Sequence, residues 1–175
     1  MARQDYEKYF FTGEKVWGRD HPHPEVEYPV IFLSNGMYNQ EEAPVRRTWM
    51  PISKPFAMEI KSHTHEFNQF LCFHGTDPKN PEDLGGTVEF TIGEEGREMV
   101  KFSVNKATVF FVKQGLVHSP LEFKDIKDPN KPIMLSEFSL TSFYTRSKER
   151  GDDSVKSEYE IHMEKLKAEG KKPTF

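Results

Sequence analysis

The sequence predicts an all-β protein whose strands pair in antiparallel sheets. Aromatic residues make up 13% of the 175 residues, and 15 of them are phenylalanine, which fits the half-buried surface of a strand. Twelve prolines and 11 glycines interrupt the chain at short intervals, which argues against a helical bundle. Strand-like stretches do not alternate with helical ones, so we do not expect a parallel α/β sheet.

The predicted strands follow one another from residue 30 onwards. They cover residues 30–33, 45–49, 56–60, 70–73, 87–92, 99–104 and 108–112, with one or two more within 133–144. The clearest is 87–92, in which Val88, Phe90 and Ile92 alternate with polar residues and share one face. We expect Pro51 to end the second of these strands and residues 76–86 to form a polar loop.

We expect one domain with an extension at each end. Residues 1–28 are predicted to form an arm with aromatic anchors, and residues 29–146 the β domain. Residues 152–170 have apolar residues at helical spacing, with Ser154 as a possible N-cap and Gly170 as a stop. This amphipathic helix would pack on the β domain or on a partner subunit, and we predict a homodimer.

The composition argues against several classes of partner. A net charge of −4 gives no basic surface for nucleic acid or for an acidic membrane. No apolar run is long enough to span a bilayer, and residues 1–30 lack the pattern of an export signal. The single cysteine, Cys72, excludes an internal disulfide and fits a reducing compartment. We therefore expect a cytoplasmic protein that binds neither nucleic acid nor membranes.

A half-buried strand is predicted to run into a pair of histidines. Phe56, Met58 and Ile60 alternate with less apolar residues, and His63 and His65 follow them. Side chains two residues apart on a strand point to the same side, so the two imidazoles are expected to project together.

Two further side chains complete a candidate metal site. Gln69 has the same parity as the histidine pair if the strand continues, and His118 follows a predicted turn that contains Gly115. Three imidazoles and one amide oxygen can converge on one divalent metal ion. Glu66 is an alternative fourth ligand, although its opposite parity predicts that it points outward.

These residues resemble the two motifs of the cupin superfamily. The first motif, a His-x-His pair followed by an acid and a glycine, resembles His63, His65, Gln69 and Gly75. The second, a Pro-x-Gly-x-x-His turn, resembles Gly115 and His118, with Lys113 in place of the proline. The loop at residues 73–86 is similar to that of a bacterial group of single-domain, cupin_2-like barrels, most of which lack an assigned activity.

The resemblance extends over about residues 45–144. It implies an antiparallel double-stranded β-helix, the jelly-roll barrel of RmlC-like proteins, with a metal inside. The ligand types leave zinc, iron, manganese and nickel as alternatives. Because Gln69 stands where a glutamate is usual, the ion would keep its full charge, favour an anionic ligand and polarise carbonyl groups.

We therefore predict a metal-dependent enzyme that performs Lewis-acid chemistry on a small oxygenated organic acid. The reaction would be of the isomerase, lyase, decarboxylase or cyclase type. A metal-dependent dioxygenase is one alternative, and a barrel that binds a small molecule without turnover is another. Catalysis itself stays open at this stage, because no general base is evident from the sequence.

Several other polar residues are candidates for a role at the site. Glu89, His74 and Glu66 are the candidate acid or base groups, each with a solvated strand or turn position as the simpler interpretation. Arg46 or Arg47 can hold a carboxylate if one of them faces the mouth of the barrel.

Two other patterns are interpreted as structural. The pair His21 and His23 repeats the spacing of His63 and His65, but it lies in a proline-rich stretch that predicts a loop. Six phenylalanines are expected to form the core, with one or two lining a cavity: Phe67, Phe70, Phe73, Phe90, Phe110 and Phe111.

Overall fold

The computed structural model describes residues 11–13, 17–18, 23–33, 44–141, 144 and 146. Within them, ten strands form two antiparallel sheets with a core of apolar side chains between them. The predicted helix at 152–170 and most of the predicted arm lie outside the described residues. Within the described residues, no helix is long and apolar enough to cross a membrane.

Eight of the ten strands match predicted segments in their order along the chain, and the strands at residues 17–18 and 117–124 were not predicted. The ten strands are β1 (Trp17–Gly18), β2 (Val30–Leu33), β3 (Arg46–Ile52), β4 (Phe56–Glu59), β5 (Gln69–His74), β6 (Asp83–Gly93), β7 (Val100–Lys106), β8 (Thr108–Val112), β9 (Val117–Lys124) and β10 (Ile133–Ser139). The six-stranded sheet has the order β1-β2-β3-β10-β5-β8, and the four-stranded sheet has the order β4-β9-β6-β7. All strand pairs are antiparallel, which confirms the predicted fold class for this part of the chain.

Period-two alternation explains which side chains enter the core. On β6, every second residue from Leu84 to Phe90 is buried, whereas the residues between them are only partly buried. Phe73 on β5 and Phe123 on β9 are also almost completely buried. Each such side chain stabilises the fold by about 1.5–3 kcal/mol relative to an exposed position.

The predicted phenylalanine core is correct in part. Phe67, Phe73 and Phe90 are buried and Phe110 packs against the core, but Phe70 and Phe111 lie on the outer face of the six-stranded sheet. Their rings are 5.0 Å apart, and Phe111 is 52% exposed. The cause is strand parity, because the buried positions of β5 are taken by the residues on either side of Phe70.

Two strand ends differ from the prediction. β3 does not stop at Pro51 but continues to Ile52. β2 pairs only with residues 47–49 of β3, so on that side β3 has no strand partner at the proline. β4 ends at Glu59, and a bulge between Ala57 and Glu59 breaks the alternation, so that Ile60 is 73% exposed and does not share the buried position of Met58.

One further boundary and one whole strand were missed. β6 begins at Asp83, so the polar loop is shorter than the predicted 76–86. The sequence pattern also did not reveal β9 (Val117–Lys124), which contains a cis peptide bond between Ser119 and Pro120. A proline inside a stretch of eight residues hides the period-two pattern on which strand prediction depends.

Candidate metal centre

The segment at residues 60–68 connects the two sheets. β4 of the four-stranded sheet ends at Glu59, and β5 of the six-stranded sheet begins at Gln69. His63 and His65 lie in this crossing segment, outside both strands, so the prediction of one continuous strand through them is wrong. Both imidazoles are nevertheless buried, because backbone bonds to a neighbouring strand fix the segment.

The crossing segment is attached to the beginning of β9. The amide of His63 donates to the carbonyl of His118 at 3.1 Å, and the amide of His118 donates to the carbonyl of His63 at 3.0 Å. The amide of Gly115 donates to the carbonyl of His65 at 2.9 Å. These bonds bring the two predicted motifs together.

The turn before β9 has the geometry that its glycine allows. The amide of Leu116 donates to the carbonyl of Lys113 at 3.0 Å, and Gly115 has a φ of 77°. Only glycine adopts this region of backbone space without strain. Lys113 takes the place usually held by a proline without preventing the turn.

Three imidazoles form a buried cluster. His63, His65 and His118 are each 3–4% exposed, and their ring centroids are 4.3–4.8 Å apart. One ligand nitrogen from each ring lies within 4.8 Å of the other two. This is the convergence that the spacing of the histidines predicts.

Backbone carbonyls orient two of the rings. The Nδ1 atom of His63 lies 3.1 Å from the carbonyl of Lys61, and Nδ1 of His118 lies 2.9 Å from that of Leu116. A carbonyl only accepts, so Nδ1 carries the proton in each ring and the lone pair is on Nε2. This is the arrangement that metal-binding histidines use.

Burial keeps these imidazoles neutral. Desolvation, followed by the neighbouring His118, lowers the pKa of His63 to about 3. Burial also lowers the pKa of His118. A neutral imidazole is the form that binds a metal, so both rings are ready to act as ligands at neutral pH.

Gln69 is buried at the start of β5, and a carboxylate contacts it. Its exposed fraction is 3%, and its Nε2 atom donates to Oε1 of Glu137 at 2.8 Å. Ser139 donates to the same oxygen at 3.0 Å. Burial raises the pKa of Glu137.

Glu137 was missed in the sequence, although its position follows from parity. Ile133 and Leu135 are fully buried on β10, and Glu137 continues that alternation. Period-two spacing alone therefore places this carboxylate on the inner face. The strand was predicted, but its charged residue was not considered.

Tyr144 also lies against the cluster and was not predicted. Its hydroxyl is 3.3 Å from Nε2 of His65, and its ring packs edge-on against the imidazole with centroids 4.9 Å apart. Phe67 stacks on the same imidazole at 4.7 Å. Burial, with the negative charge of Glu137, raises the pKa of Tyr144.

Of the two candidate arginines, Arg46 has the inner position. It shares strand parity with the buried Met50 and Ile52, and its guanidinium lies 5.2 Å from the centroid of the Tyr144 ring. Arg47 points to the outer face, where its guanidinium lies 4.0 Å from Trp49 and 3.9 Å from Phe138, measured to the ring centroids.

A second arginine lies near the cluster. Nη2 of Arg146 is 2.9 Å from a carboxylate oxygen of Glu59, and its charge contributes to the lowered pKa values of His63 and His118. Glu59 also lies 3.6 Å from His23. His23 is in a loop, as predicted, and its neighbour His21 is outside the described residues.

Comparison with known proteins identifies the fold. No protein-family model matches the chain, and none of the curated proteins matches it. Among solved structures, the 11S allergen from Cocos nucifera superposes with a TM-score of 0.51 and 11% identity, covering 85% of this chain and 36% of that one. The described part of this chain has the cupin fold.

Oxalate decarboxylases are also among the similar structures. A variant of the Bacillus subtilis enzyme gives a TM-score of 0.43 at 16% identity, covering 66% of this chain and 26% of that one. The Lactobacillus farciminis enzyme gives 0.43 at 11% identity, covering 67% and 30%. The chain therefore spans about a quarter to a third of the length of the cupin-fold proteins named here.

The cupin barrel leaves the three predicted acid or base candidates away from the imidazole cluster. Glu66 and His74 are exposed, and Nδ1 of His74 lies 2.8 Å from the carbonyl of Gly75. Glu89 lies on the outer face of β6, where it pairs with Lys101 at 3.0 Å and Lys124 at 2.6 Å. Glu137 instead contacts Gln69, and the hydroxyl of Tyr144 contacts His65.

The donor set in the cupin barrel fits a divalent metal ion. The cluster offers three buried nitrogen ligands, and proton positions leave the lone pairs of two of them on Nε2. Metal–nitrogen bonds of about 2.1 Å require the three ligand nitrogens to lie somewhat closer to one another than 4.8 Å. A small adjustment of the side chains achieves this. The three histidines can hold a divalent ion, and imidazole is compatible with zinc, iron, manganese and nickel.

Proposed function

We propose that this chain is a metal-dependent enzyme of the cupin superfamily that acts on a small oxygenated organic acid. His63, His65 and His118 would hold the ion, with the amide oxygen of Gln69 as the fourth ligand. The observation that carries the proposal is the buried cluster of three imidazoles whose nitrogens lie within 4.8 Å of one another. A bound ion would supply a Lewis acid for isomerisation, elimination, decarboxylation or cyclisation.

The charges around the cluster support an anionic substrate. Four charged side chains act on the pKa of Tyr144: the cations Arg46 and Arg146 and the carboxylates Glu59 and Glu137. These four charges cancel, so a divalent ion would leave the site with a net charge of about +2. If Glu137 held a proton, the site would be more positive still. An anionic ligand is favoured in either case.

Arg46 is the residue that we assign to bind the carboxylate of the substrate. It is half-buried on the inner face of β3, and its guanidinium lies against the face of Tyr144. A planar guanidinium binds a carboxylate through two parallel hydrogen bonds. Arg146 is already paired with Glu59 and is better suited to hold that side of the site in place.

Two groups near the cluster can hold or transfer a proton. Glu137 is a carboxyl group on the inner face of β10, and Tyr144 has its hydroxyl 3.3 Å from His65. The candidates named from the sequence, Glu66, His74 and Glu89, each had a simpler structural interpretation, which had kept simple binding open as an alternative. The presence of Glu137 and Tyr144 favours turnover over binding without chemistry.

Metal analysis tests the proposal directly. We expect the protein, after removal of bound ions and exposure to zinc, manganese, iron or nickel, to retain about one ion per chain by elemental analysis. His63→Ala should lose it, whereas His74→Ala, at an exposed histidine, should not. A wild-type protein that retains no ion, or a His63→Ala variant that retains as much as wild type, would refute the proposal.

The loaded protein can then be incubated with small hydroxy and keto acids and the products followed by NMR. We expect conversion without loss of dissolved oxygen. Oxygen uptake that rises with the iron content would instead indicate a dioxygenase.

A further inference from the structure

Gln69 differs from the three histidines in that its side chain has two chemically different ends. The amide carries an oxygen that can bind a metal and a nitrogen that cannot, and rotation by half a turn exchanges them. A glutamine is therefore a useful ligand only if a neighbour selects its orientation. The structure shows which group contacts the nitrogen.

That group is Glu137. Its Oε1 atom accepts from Nε2 of Gln69 at 2.8 Å and from the hydroxyl of Ser139 at 3.0 Å. An ionised carboxylate oxygen accepts hydrogen bonds and cannot donate them, so the NH2 end of the amide must face it. The amide oxygen of Gln69 is then the end that is left for another partner.

The strand register makes this contact a fixed feature of the fold. Ser139 is directly opposite Gln69 in the pairing of β10 with β5, and Glu137 is two residues away on the same face. The neighbouring pair, Phe138 opposite Phe70, points to the other side of the sheet. A rotation of the amide would break a hydrogen bond to a carboxylate inside the barrel, where that bond is costly to lose.

We propose that Glu137 is a positioning residue that holds the Gln69 amide with its oxygen directed to the metal. This inference rests on the proposed function, because it assumes that the three histidines hold an ion. It assigns Glu137 a role that neither the spacing of the motifs nor the choice of ligand types reveals. A carboxylate has two equivalent oxygens and needs no such orientation to bind a metal. An amide has only one oxygen, so it can act as the ligand only if a neighbour holds that oxygen toward the ion.

The test is the affinity for zinc, measured by competition with a chromophoric chelator. Glu137→Gln replaces the acceptor by a group that presents a donor or an acceptor, so the amide of Gln69 is no longer held in one orientation. We expect binding to weaken about 10- to 100-fold, the usual effect of removing a residue that orients a ligand. Glu122→Gln is the matched control, since Glu122 lies on the outer face and pairs with Lys101 at 3.1 Å. It should bind zinc like wild type.

A double variant separates orientation from simple loss of a charge. Gln69→Glu combined with Glu137→Gln exchanges the two side chains. A carboxylate at position 69 then faces the ion, and the amide at position 137 donates a hydrogen bond to that carboxylate. We expect affinity to return to within about threefold of wild type or to exceed it. Failure of the exchange to improve on Glu137→Gln would overturn the orientation role.

Two further measurements distinguish a change at the metal site from a folding defect. The visible spectrum of the cobalt-loaded protein reports ligand number and type, and it should change in Glu137→Gln but not in Glu122→Gln. Ser139→Ala keeps the carboxylate and removes the second hydrogen bond to Glu137, together with the longer bond that Nε2 of Gln69 donates to Ser139 at 3.5 Å. It should weaken zinc binding by a smaller factor, about two- to fivefold. If Glu137→Gln has both the zinc affinity and the cobalt spectrum of wild type, the proposed role of Glu137 is wrong.

The outcome does not depend on whether the enzyme reaction has been found. If wild-type protein binds no zinc, the proposed function fails before Glu137 is tested. If wild type binds zinc and Glu137→Gln binds it equally well, only the role of Glu137 fails.

Discussion

His63 illustrates how one buried residue couples the site to solution conditions. The folded chain holds this imidazole neutral with a pKa of about 3, whereas an unfolded chain binds the proton near pH 6.5. The resulting contribution to stability is complete above about pH 6.5, and it shrinks as the pH falls through the range down to about 3.

The metal-free protein is therefore expected to lose stability in mild acid. Between about pH 7.5 and about pH 5.5, His63 alone should lower the free energy of unfolding by about 1.4 kcal/mol. Urea unfolding of His63→Asn at the two pH values should show a pH effect smaller by about that amount. The exposed His74→Asn serves as the control, and an unchanged pH effect in His63→Asn would contradict the assignment.

At the scale of single residues, the three histidines could be predicted, but the reason for their convergence could not. Their spacing indicated a strand, whereas the structure places His63 and His65 in a crossing segment bound to His118. Parity places Glu137 on the inner face of β10, but no local pattern indicates its contact with Gln69 or the contact of Tyr144 with His65. Only the pairing of β10 with β5 brings that distant carboxylate to Gln69.

At the scale of elements, the strands were predicted more accurately than their ends. β8 was predicted with its observed bounds, Thr108–Val112, because it is a short run of β-branched and aromatic residues that ends before Lys113. Pro51 lies inside β3 and a bulge ends β4, and both depend on which neighbouring strand is present. Pairing partners are a property of the whole sheet, so a local pattern cannot indicate them.

Gly75 gives an element-scale prediction at the end of β5. A Cβ atom at this position would overlap the backbone carbonyl of Asp83, which cannot move away without breaking the start of β6. Gly75→Ala should therefore destabilise the fold by about 1–3 kcal/mol in chemical unfolding. In Gly18→Ala the new methyl would meet only the Phe32 ring at 3.5 Å, so little change is expected. Equal stabilities of the two variants would argue against the predicted overlap.

At the scale of the whole molecule, the outer face of the six-stranded sheet is unusually apolar. Two adjacent cross-strand rows occupy it: Leu33, Arg47, Phe138, Phe70 and Phe111 in one, and Ile31, Trp49, Ser136, Cys72 and Val109 in the other. The one charged residue of the two rows, Arg47, is stacked between two aromatic rings. Aromatic residues with few charges are typical of the centre of a subunit interface.

We propose this face as the contact surface of the homodimer that the sequence predicts. Val109→Lys would place a charge on it and should convert a dimer to a monomer in sedimentation velocity. Val100→Lys is the matched control, because Val100 is similarly exposed, 53% against 62%, but lies on β7 in the other sheet. Cys72, the only cysteine, should react with a thiol reagent faster in the Val109→Lys variant. A wild-type monomer at micromolar concentration would refute the proposal.

The crossing segment at residues 60–68 has a consequence for the lifetime of the protein. An ion bound by His63 and His65, by His118 of β9 and by Gln69 of β5 would join the two sheets at one end through side chains alone. Without the ion, that end would open more readily than the rest, since local opening follows the weakest set of contacts. Proteases act on such opened states, so the supply of metal would help to determine how long each copy survives in the cell.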